Sequence, residues 1–218
     1  MAKGDETRSA ILAAGISLAS EIGLDGVSIG ALADRVGMSK SGLFAHFSSK
    51  ENLQVAILRE ASSRFVDLVV APSLRERRGE PRVRSLFAKW LAWSSRVDFM
   101  PGGCIFVAAS VELDDKPGPA RDALVASQKD WLEVVATAAR LAVEEKHFRE
   151  DLDPRQFAYE MFSIAYGYHF MNRLIVDPKA EKRVHLAFER LMADAAGHSR
   201  PNRVARVTST DRSKGREP

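Results

Sequence analysis

Ser28 to Phe47 reads S-I-G-A-L-A-D-R-V-G-M-S-K-S-G-L-F-A-H-F. Serines at 28 and 39 each precede a short segment of helical character, and a serine hydroxyl accepts from the free N–H groups of a helix's first turn. An apolar residue stands just before each serine and another four positions after it, Val27 with Leu32 and Met38 with Leu43. That is the spacing of a hydrophobic staple, present twice. Gly37 follows Arg35 and Val36, where the first helix must stop, and glycine takes positive φ without steric cost. Ala33 is small, as a close helix crossing requires. Helix, glycine turn and helix within about 20 residues form a helix-turn-helix, whose second helix can enter the DNA major groove. Downstream, Phe47-Ser48-Ser49-Lys50-Glu51 is expected to end the second helix and open a third, with Ser48 and Glu51 as a capping box. Lys50 then sits in a first turn, where the helix dipole disfavours a cation. A nearby phosphate would account for it.

From Gly37 onward, G-M-S-K-S-G-L-F-A-H-F-S-S-K-E-N-L resembles the DNA-binding signature of the TetR family of bacterial transcriptional repressors, over about Thr7 to Ile57. The resemblance implies an all-α protein: an N-terminal three-helix helix-turn-helix domain, residues 1–50, and a C-terminal helical ligand-binding and dimerisation domain, residues 51–196. It implies that Lys40 reads a base edge, where lysine can donate to guanine O6 and N7. Ser39 and Ser41 would contact phosphate or a base edge, and His46 and Lys50 phosphate. Ser28, Gly42 and Phe44 complete the candidate DNA-facing set. Phe44 replaces the family's usual Tyr, so a phosphate-bonding hydroxyl is missing and the ring is left to meet a thymine methyl. Gly42 stands where Thr is common and Gly30 where a longer side chain can occur. Direct readout therefore rests largely on Lys40, with DNA shape carrying much of the specificity. Further on, P-G-G-C-I-F-V-A-A-S-V-E-L-D-D-K-P-G-P-A-R-D resembles the ligand-domain sequence of one TetR subgroup.

Composition adds bounds. The chain of 218 residues is 45% hydrophobic, enough for a sizeable core. A single Cys104 excludes an intramolecular disulfide and suits a reducing cytoplasm. The N-terminus M-A-K-G-D-E-T-R has no apolar h-region, and no apolar run approaches the ~18 residues of a membrane helix. A cytoplasmic protein without membrane contact is expected. The net charge of +3 says little about DNA. Residues 200–218 hold six basic residues against two acidic ones, which leaves the rest of the chain one unit negative. That tail, 197–218, is polar, basic and without periodicity, and is expected to be disordered.

Apolar spacing and breakers predict the remaining helices. The first covers 7–22, with Ile11, Leu18 and Ile22 on one side. A longer one runs from 49 to about 71, where Pro72 ends or bends it, followed by a polar loop R-E-R-R-G-E-P-R. Others are expected at 82–99, 104–113, 120–147, 155–176 (capped by Asp153, with Pro154 leading) and 180–196. The 155–176 segment is apolar on more than one face, so it must be covered on both sides. With the stripe of the last helix it predicts a dimer interface through Tyr168, Met171, Val184, Phe188, Leu191 and Ala195, closing a four-helix bundle about a two-fold axis. The TetR resemblance implies the same mode of pairing.

A helical domain of about 140 residues behind a DNA reader reads as a sensor for a small apolar or aromatic effector. Candidate pocket residues are Trp90, Phe99, Cys104, Phe106, Trp131, Phe162, Tyr166 and His169. Each is also an ordinary core residue, and His169 reads better as a hydrogen-bonded core histidine. The partners expected are operator DNA, a second copy of the chain and that effector; no cofactor and no metal is expected. Two alternatives stand beside this: a DNA-binding dimer that needs no ligand, and a helical enzyme built on Glu112, Asp114 and Asp115 with Cys104 or His169. The five histidines show no metal-ligand spacing.

Overall fold

The computed structural model describes residues 3–198, and among these all regular structure is helical. Helix α1 (Lys3–Ile22) packs on α2 (Ile29–Val36), which packs on α3 (Lys40–Phe47). The caps are those the sequence predicts. Ser28 Oγ accepts from the Ala31 N–H and Ser39 Oγ from the Gly42 N–H, each at 3.1 Å, and Gly37 turns the chain at φ 67°. Ile22 departs from expectation: it is half exposed, and Ile16 and Ala19 fill the buried face of α1 in its place.

Ser48 and Glu51 do not form a capping box. Ser48 takes φ 64° and closes α3, its N–H donating to the Phe44 carbonyl at 2.8 Å. The cap of the next helix, α4 (Lys50–Phe65), is Ser49, which accepts from the Asn52 N–H at 3.0 Å. Two adjacent serines offer the same chemistry, and the left-handed closure of α3 at Ser48 hands the role to its neighbour.

Pro72 does not end the helix either. Beyond α4 the backbone widens into a π-helical turn, Val66–Val70, and resumes as α5 (Ala71–Leu74) with Pro72 in its first turn. A proline ring collides with the carbonyl four residues back in a regular α-helix. The wider turn around Leu68 gives that ring room.

Helix α6 (Glu80–Ser94) begins inside the stretch expected to be loop and stops well short of residue 99. Pro81 occupies its first turn, where a missing N–H costs nothing. Its N-terminus is held by His147, whose Nδ1 accepts from the Glu80 N–H at 3.1 Å. Gly79, at φ 93°, makes room for that ring: a Cβ there would lie 2.0 Å from Nδ1. Helices α7 (Ile105–Leu113), α8 (Pro119–Glu144), α9 (Pro154–Arg173) and α10 (Ala180–Ala195) follow. Asp153 caps α9 as expected, accepting from Arg155 and Gln156. One buried core runs from Ile11 in α1 to Ala195 in α10, with α8 at its centre against α4, α6, α7 and α9.

The stripe expected to meet a partner closes the monomer instead. Val184, Phe188, Leu191 and Ala195 are all buried within the single chain, and the Phe188 ring stacks on Phe87 with centroids 3.7 Å apart. The helical period put these residues on one face, but α6 and α9 already cover it. Among the exposed apolar side chains are Tyr159 and Phe170 on the outer face of α9, followed by Leu174, Ile175 and Val176 beyond its end and, on α10, Leu186. Tyr168 and Met171 are half-buried. The basic tail lies outside the described residues from position 199 on. No helix among the described residues is long and apolar enough to cross a membrane.

Gly79→Ala combines a strained φ with a collision on His147, and lowers unfolding stability in urea by about 2 kcal/mol or more.

Candidate nucleic-acid interface and ligand cavity

Helix α3 presents one face to its neighbours and the other to solvent. Leu43 and Phe47 are buried; Lys40, Ser41 and Phe44 are exposed, Phe44 by 53%. The stem of Lys40 lies across α2 at Gly30, where a Cβ would stand 3.3 Å from the lysine Cε. The short residue at 30 therefore gives the lysine stem its seat. The Ser39 hydroxyl is spent on capping and on a 3.2 Å contact with Ser41 Oγ. The far end of α3 is fixed by Arg8, which sequence reasoning passed over. Its guanidinium donates to the His46 carbonyl at 3.0 Å and lies 4.7 Å over the Phe47 ring. Lys50 is engaged within the protein, donating to the Asp25 carbonyl at 2.6 Å.

That carbonyl belongs to the α1–α2 loop, which is clamped from several sides. Glu112, at the end of α7, accepts from the Leu24 N–H at 3.1 Å and the Asp25 N–H at 2.9 Å. Lys116 pairs with the Asp25 carboxylate and, with help from Lys50, holds it below the usual carboxylate range. From α4, Gln54 donates to the Leu24 carbonyl at 2.9 Å. Next to the loop, Gly102 N–H donates to Ser20 Oγ at 3.1 Å, and its missing side chain lets the two backbones touch. The acid that anchored the enzyme alternative is thus committed to backbone N–H groups of the reader. A carboxylate is suited to this task, because it accepts two N–H bonds at once.

Behind the clamp lies a cavity of about 120 Å³. Five of the expected residues line it: Trp90, Cys104, Phe106, Trp131 and Tyr166. Phe99, Phe162 and His169 do not. Phe99 packs on Trp93 and under the Arg64 guanidinium. Phe162 lies behind the wall, tilted on Trp90 and stacked on Tyr166. His169 sits against the turn at Gly103, its pKa lowered by burial and by Arg173. The lining that sequence reasoning missed comes from the connecting helix, through Ser62, Phe65, and Val66 and Val70 of the π-helical turn, and equally from α8, through Ser127, Gln128, Asp130 and Val134, with Val107 of α7. Phe65 was visible as an apolar position, but nothing in the spacing marked the π turn. Cys104 is fully enclosed at the head of α7. Burial pushes its thiol above the ordinary value, against the opposing pull of the Val107 and Phe106 N–H groups and the Trp93 indole. A thiol so held is a poor nucleophile.

The comparisons agree with this layout. Residues 11–57 match a family model described as bacterial regulatory proteins, tetR family, and residues 79–188, half of the chain, match one described as tetracyclin repressor-like, C-terminal domain. The HTH-type transcriptional repressor AcnR of Corynebacterium diphtheriae is 39% identical over 57 residues, which is 26% of this chain and 30% of that protein. The match therefore spans less than a third of that relative's length. Solved structures align over most of the chain. A TetR transcriptional regulator from Chloroflexus aurantiacus J-10-FL has 21% identity over 88% of this chain and 96% of its own, with TM-score 0.77. AibR, solved in complex with isovaleryl coenzyme A and operator DNA, has 22% identity over 82% and 97%, with TM-score 0.65. At these identities the likeness is one of fold.

Glu112→Ala leaves two N–H groups of the α1–α2 loop without their acceptor. Stability is expected to fall by about 1–2 kcal/mol, and hydrogen exchange at the Leu24 and Asp25 amides to quicken relative to α8 amides.

Proposed function

The chain belongs to the TetR family of bacterial regulatory proteins, DNA-binding regulators of transcription, and on that premise we propose a homodimeric repressor that a small apolar or aromatic effector releases from a palindromic operator. The observation that carries the reading is the double duty of α4. Its first half packs on α1 and α3, its last turn lines the cavity through Ser62 and Phe65, and only two residues separate it from α3. An occupant of the cavity that prefers one position of α4 thereby favours one position of the reader. α7 offers a second route, with Cys104 and Phe106 at the cavity and Glu112 on the reader's loop.

In this reading residues 1–50 are the DNA-binding unit, residues 51–196 sense and dimerise, and the protein works in the cytoplasm. Lys40 meets a base edge, Phe44 a thymine methyl, and the open backbone at Gly42 allows close approach to the groove. Ser28, Ser41 and His46 take phosphate or a base edge; Ser39 serves as the cap. Lys50 braces Asp25 and keeps further N–H donors for phosphate. The second copy covers the outer face of α9, with Met171 at its margin, while Tyr168 packs against the chain's own core. That face and the segment beyond its end carry several exposed apolar side chains, which supports pairing there. AibR, which shares the fold, was solved in complex with isovaleryl coenzyme A and operator DNA, which supports a reading with both a small molecule and DNA as partners. A ligand-independent dimer is the weaker reading, because a domain without an effector would close its cavity.

The deciding measurement is gel-shift binding to the DNA upstream of the protein's own gene over a salt series. Wild type is expected to prefer a palindromic site over random DNA. Lys40→Ala is expected to lose about 1–3 kcal/mol of that preference while keeping most of the salt dependence. Absence of any preference for wild type across that DNA, and in a selection from genomic fragments, overturns the proposal. Phe170→Glu, on the exposed face of α9, is expected to sediment as a monomer and to lose operator binding while keeping its helical content by circular dichroism.

A further inference from the structure

The cavity is the deep end of a longer cleft, and the shape of that cleft narrows its occupant, taking the cavity as the effector site proposed above. Helix α4 packs closely on α8, whereas the π-helical turn and α5 that continue it pack on α6. One wall of the cleft is this continuing chain, with Phe65, Val66 and Val70 at the cavity and Leu74 beyond it. The other wall is α8, where spacings of three and four residues put Trp131, Val134, Ala138 and Leu141 on one helical face. The inner part is the cavity of about 120 Å³, and the outer part is an open groove of about 370 Å³. Asp130 and Val134 line both, so the two meet there.

The cavity alone is comparable with the ~150 Å³ apolar cavity that takes up benzene, so it holds roughly six carbon atoms. The groove offers more apolar surface than the protein itself covers. Val66 at the cavity is 48% exposed and Leu74 in the groove 47%. An occupant that ends inside the cavity leaves Leu74 in water. One that continues past Val134 covers it, and each further methylene is itself withdrawn from water. From Gln128 to Leu141 the lining of α8 is roughly 20 Å long at 1.5 Å per residue. A straight chain laid along a helix fits such a cleft better than a compact ring system of the same mass.

Charge supplies the second restriction. The hydroxyls of the wall are engaged within the protein: Ser62 Oγ donates to the Leu58 carbonyl and Ser127 Oγ to the Leu124 carbonyl, each at 2.9 Å, and the Tyr166 hydroxyl to Ser110 Oγ at 3.4 Å. The half-buried Gln128 amide and the exposed Asp130 carboxylate have no side-chain partner among the described residues. An amide both donates and accepts, which suits an alcohol, ester or amide oxygen. No lysine, arginine or histidine lines the cavity. In the groove, Arg82 stands among the exposed Asp130 and Glu133 and spends an outer nitrogen on the Leu74 and Glu76 carbonyls. A carboxylate entering the cavity would lose its water without gaining a cation. We infer that the effector is a neutral chain-like molecule longer than the cavity, an unbranched alkyl or acyl chain with an uncharged polar end, that fills the cavity and continues along α8 toward Leu141.

A series of straight-chain alcohols, butanol, hexanol, octanol and decanol, tests this against the full-length protein at neutral pH. Tryptophan fluorescence reports binding, since Trp90 and Trp131 line the cavity. Affinity is expected to rise about fourfold per methylene from butanol to hexanol, and about twofold per methylene from hexanol to decanol, where the groove covers one side of the chain. Leu74→Glu, with unchanged circular dichroism, is expected to weaken decanol about tenfold while butanol moves less than about twofold. A plateau beyond hexanol, or equal effects of Leu74→Glu on both alcohols, overturns the groove and leaves the effector reading standing. Decanoate binding as tightly as decanol overturns the uncharged end. Failure of all four alcohols to bind overturns the cavity as a ligand site, and with it the effector reading. Should Leu74→Glu misfold, the wild-type series decides.

Discussion

A helix that joins the two ends of one hydrophobic core must keep one unbroken buried face, and the whole molecule depends on α4 meeting that demand. Leu53 and Ile57 close the reader, Ile57 pressing so near to Gly15 of α1 that a Cβ there would stand 2.9 Å away. Ala61 continues the buried face, and Phe65 carries it to the cavity end of the core, edge-on to Trp93, Phe106 and Trp131. Burial of these side chains contributes roughly 1.5–3 kcal/mol for each large one, and the same contacts forbid the reader to move independently of the helix. Regulation in such a molecule is a matter of where one helix rests.

Polar contacts complement that apolar spine. The α1–α2 loop has no helix of its own to satisfy its polar groups: Glu112 accepts from its N–H groups, Gln54 and Lys50 of α4 donate to its carbonyls, and Lys116 pairs with the Asp25 carboxylate. The isolated surface pair between Lys116 and Asp25 adds little by itself. The bonds from Leu24 and Asp25 to Glu112 differ, because they join residues far apart in sequence at the boundary between reader and cavity. Apolar packing sets where α4 can go, and the carboxylate sets how the neighbouring loop follows.

The reader was legible in the sequence because its signals are local. Caps, staples and the Gly37 turn each depend on residues within a few positions of one another, and Ser28, Ser39 and Gly37 stand where such spacing puts them. The errors there are of one residue, as at Ser48 and Ser49. The rest of the chain was legible in type and blurred in use. Helical period identified Val184, Phe188 and Leu191 as one apolar face, but whether such a face meets a partner or the chain's own α6 depends on tertiary packing that period does not encode. The cavity shows the same division. Aromatic composition pointed to Trp90, Phe106 and Trp131, while the contribution of Val66 and Val70 required a π-helical turn that has no sequence signature of its own. Phe99 and His169 look like pocket residues by type and are spent instead on neighbouring turns.

The short joint at Ser48 and Ser49 has a mechanical consequence. With only these two residues between α3 and α4, and with Ser48 fixed in the left-handed region, the recognition helix has no slack against its support. α4 is then a lever whose fulcrum is at the cavity. From Phe65 to Lys50 its arm is roughly 22 Å at 1.5 Å per residue, so a tilt of about 5° at the cavity end swings the DNA end by about 2 Å. Successive half-sites tolerate recognition helices only within about 34–36 Å. In the proposed dimer, two such arms related by a two-fold axis would add their swings, so that a small tilt at each cavity would become a mismatch of several ångströms between the recognition helices.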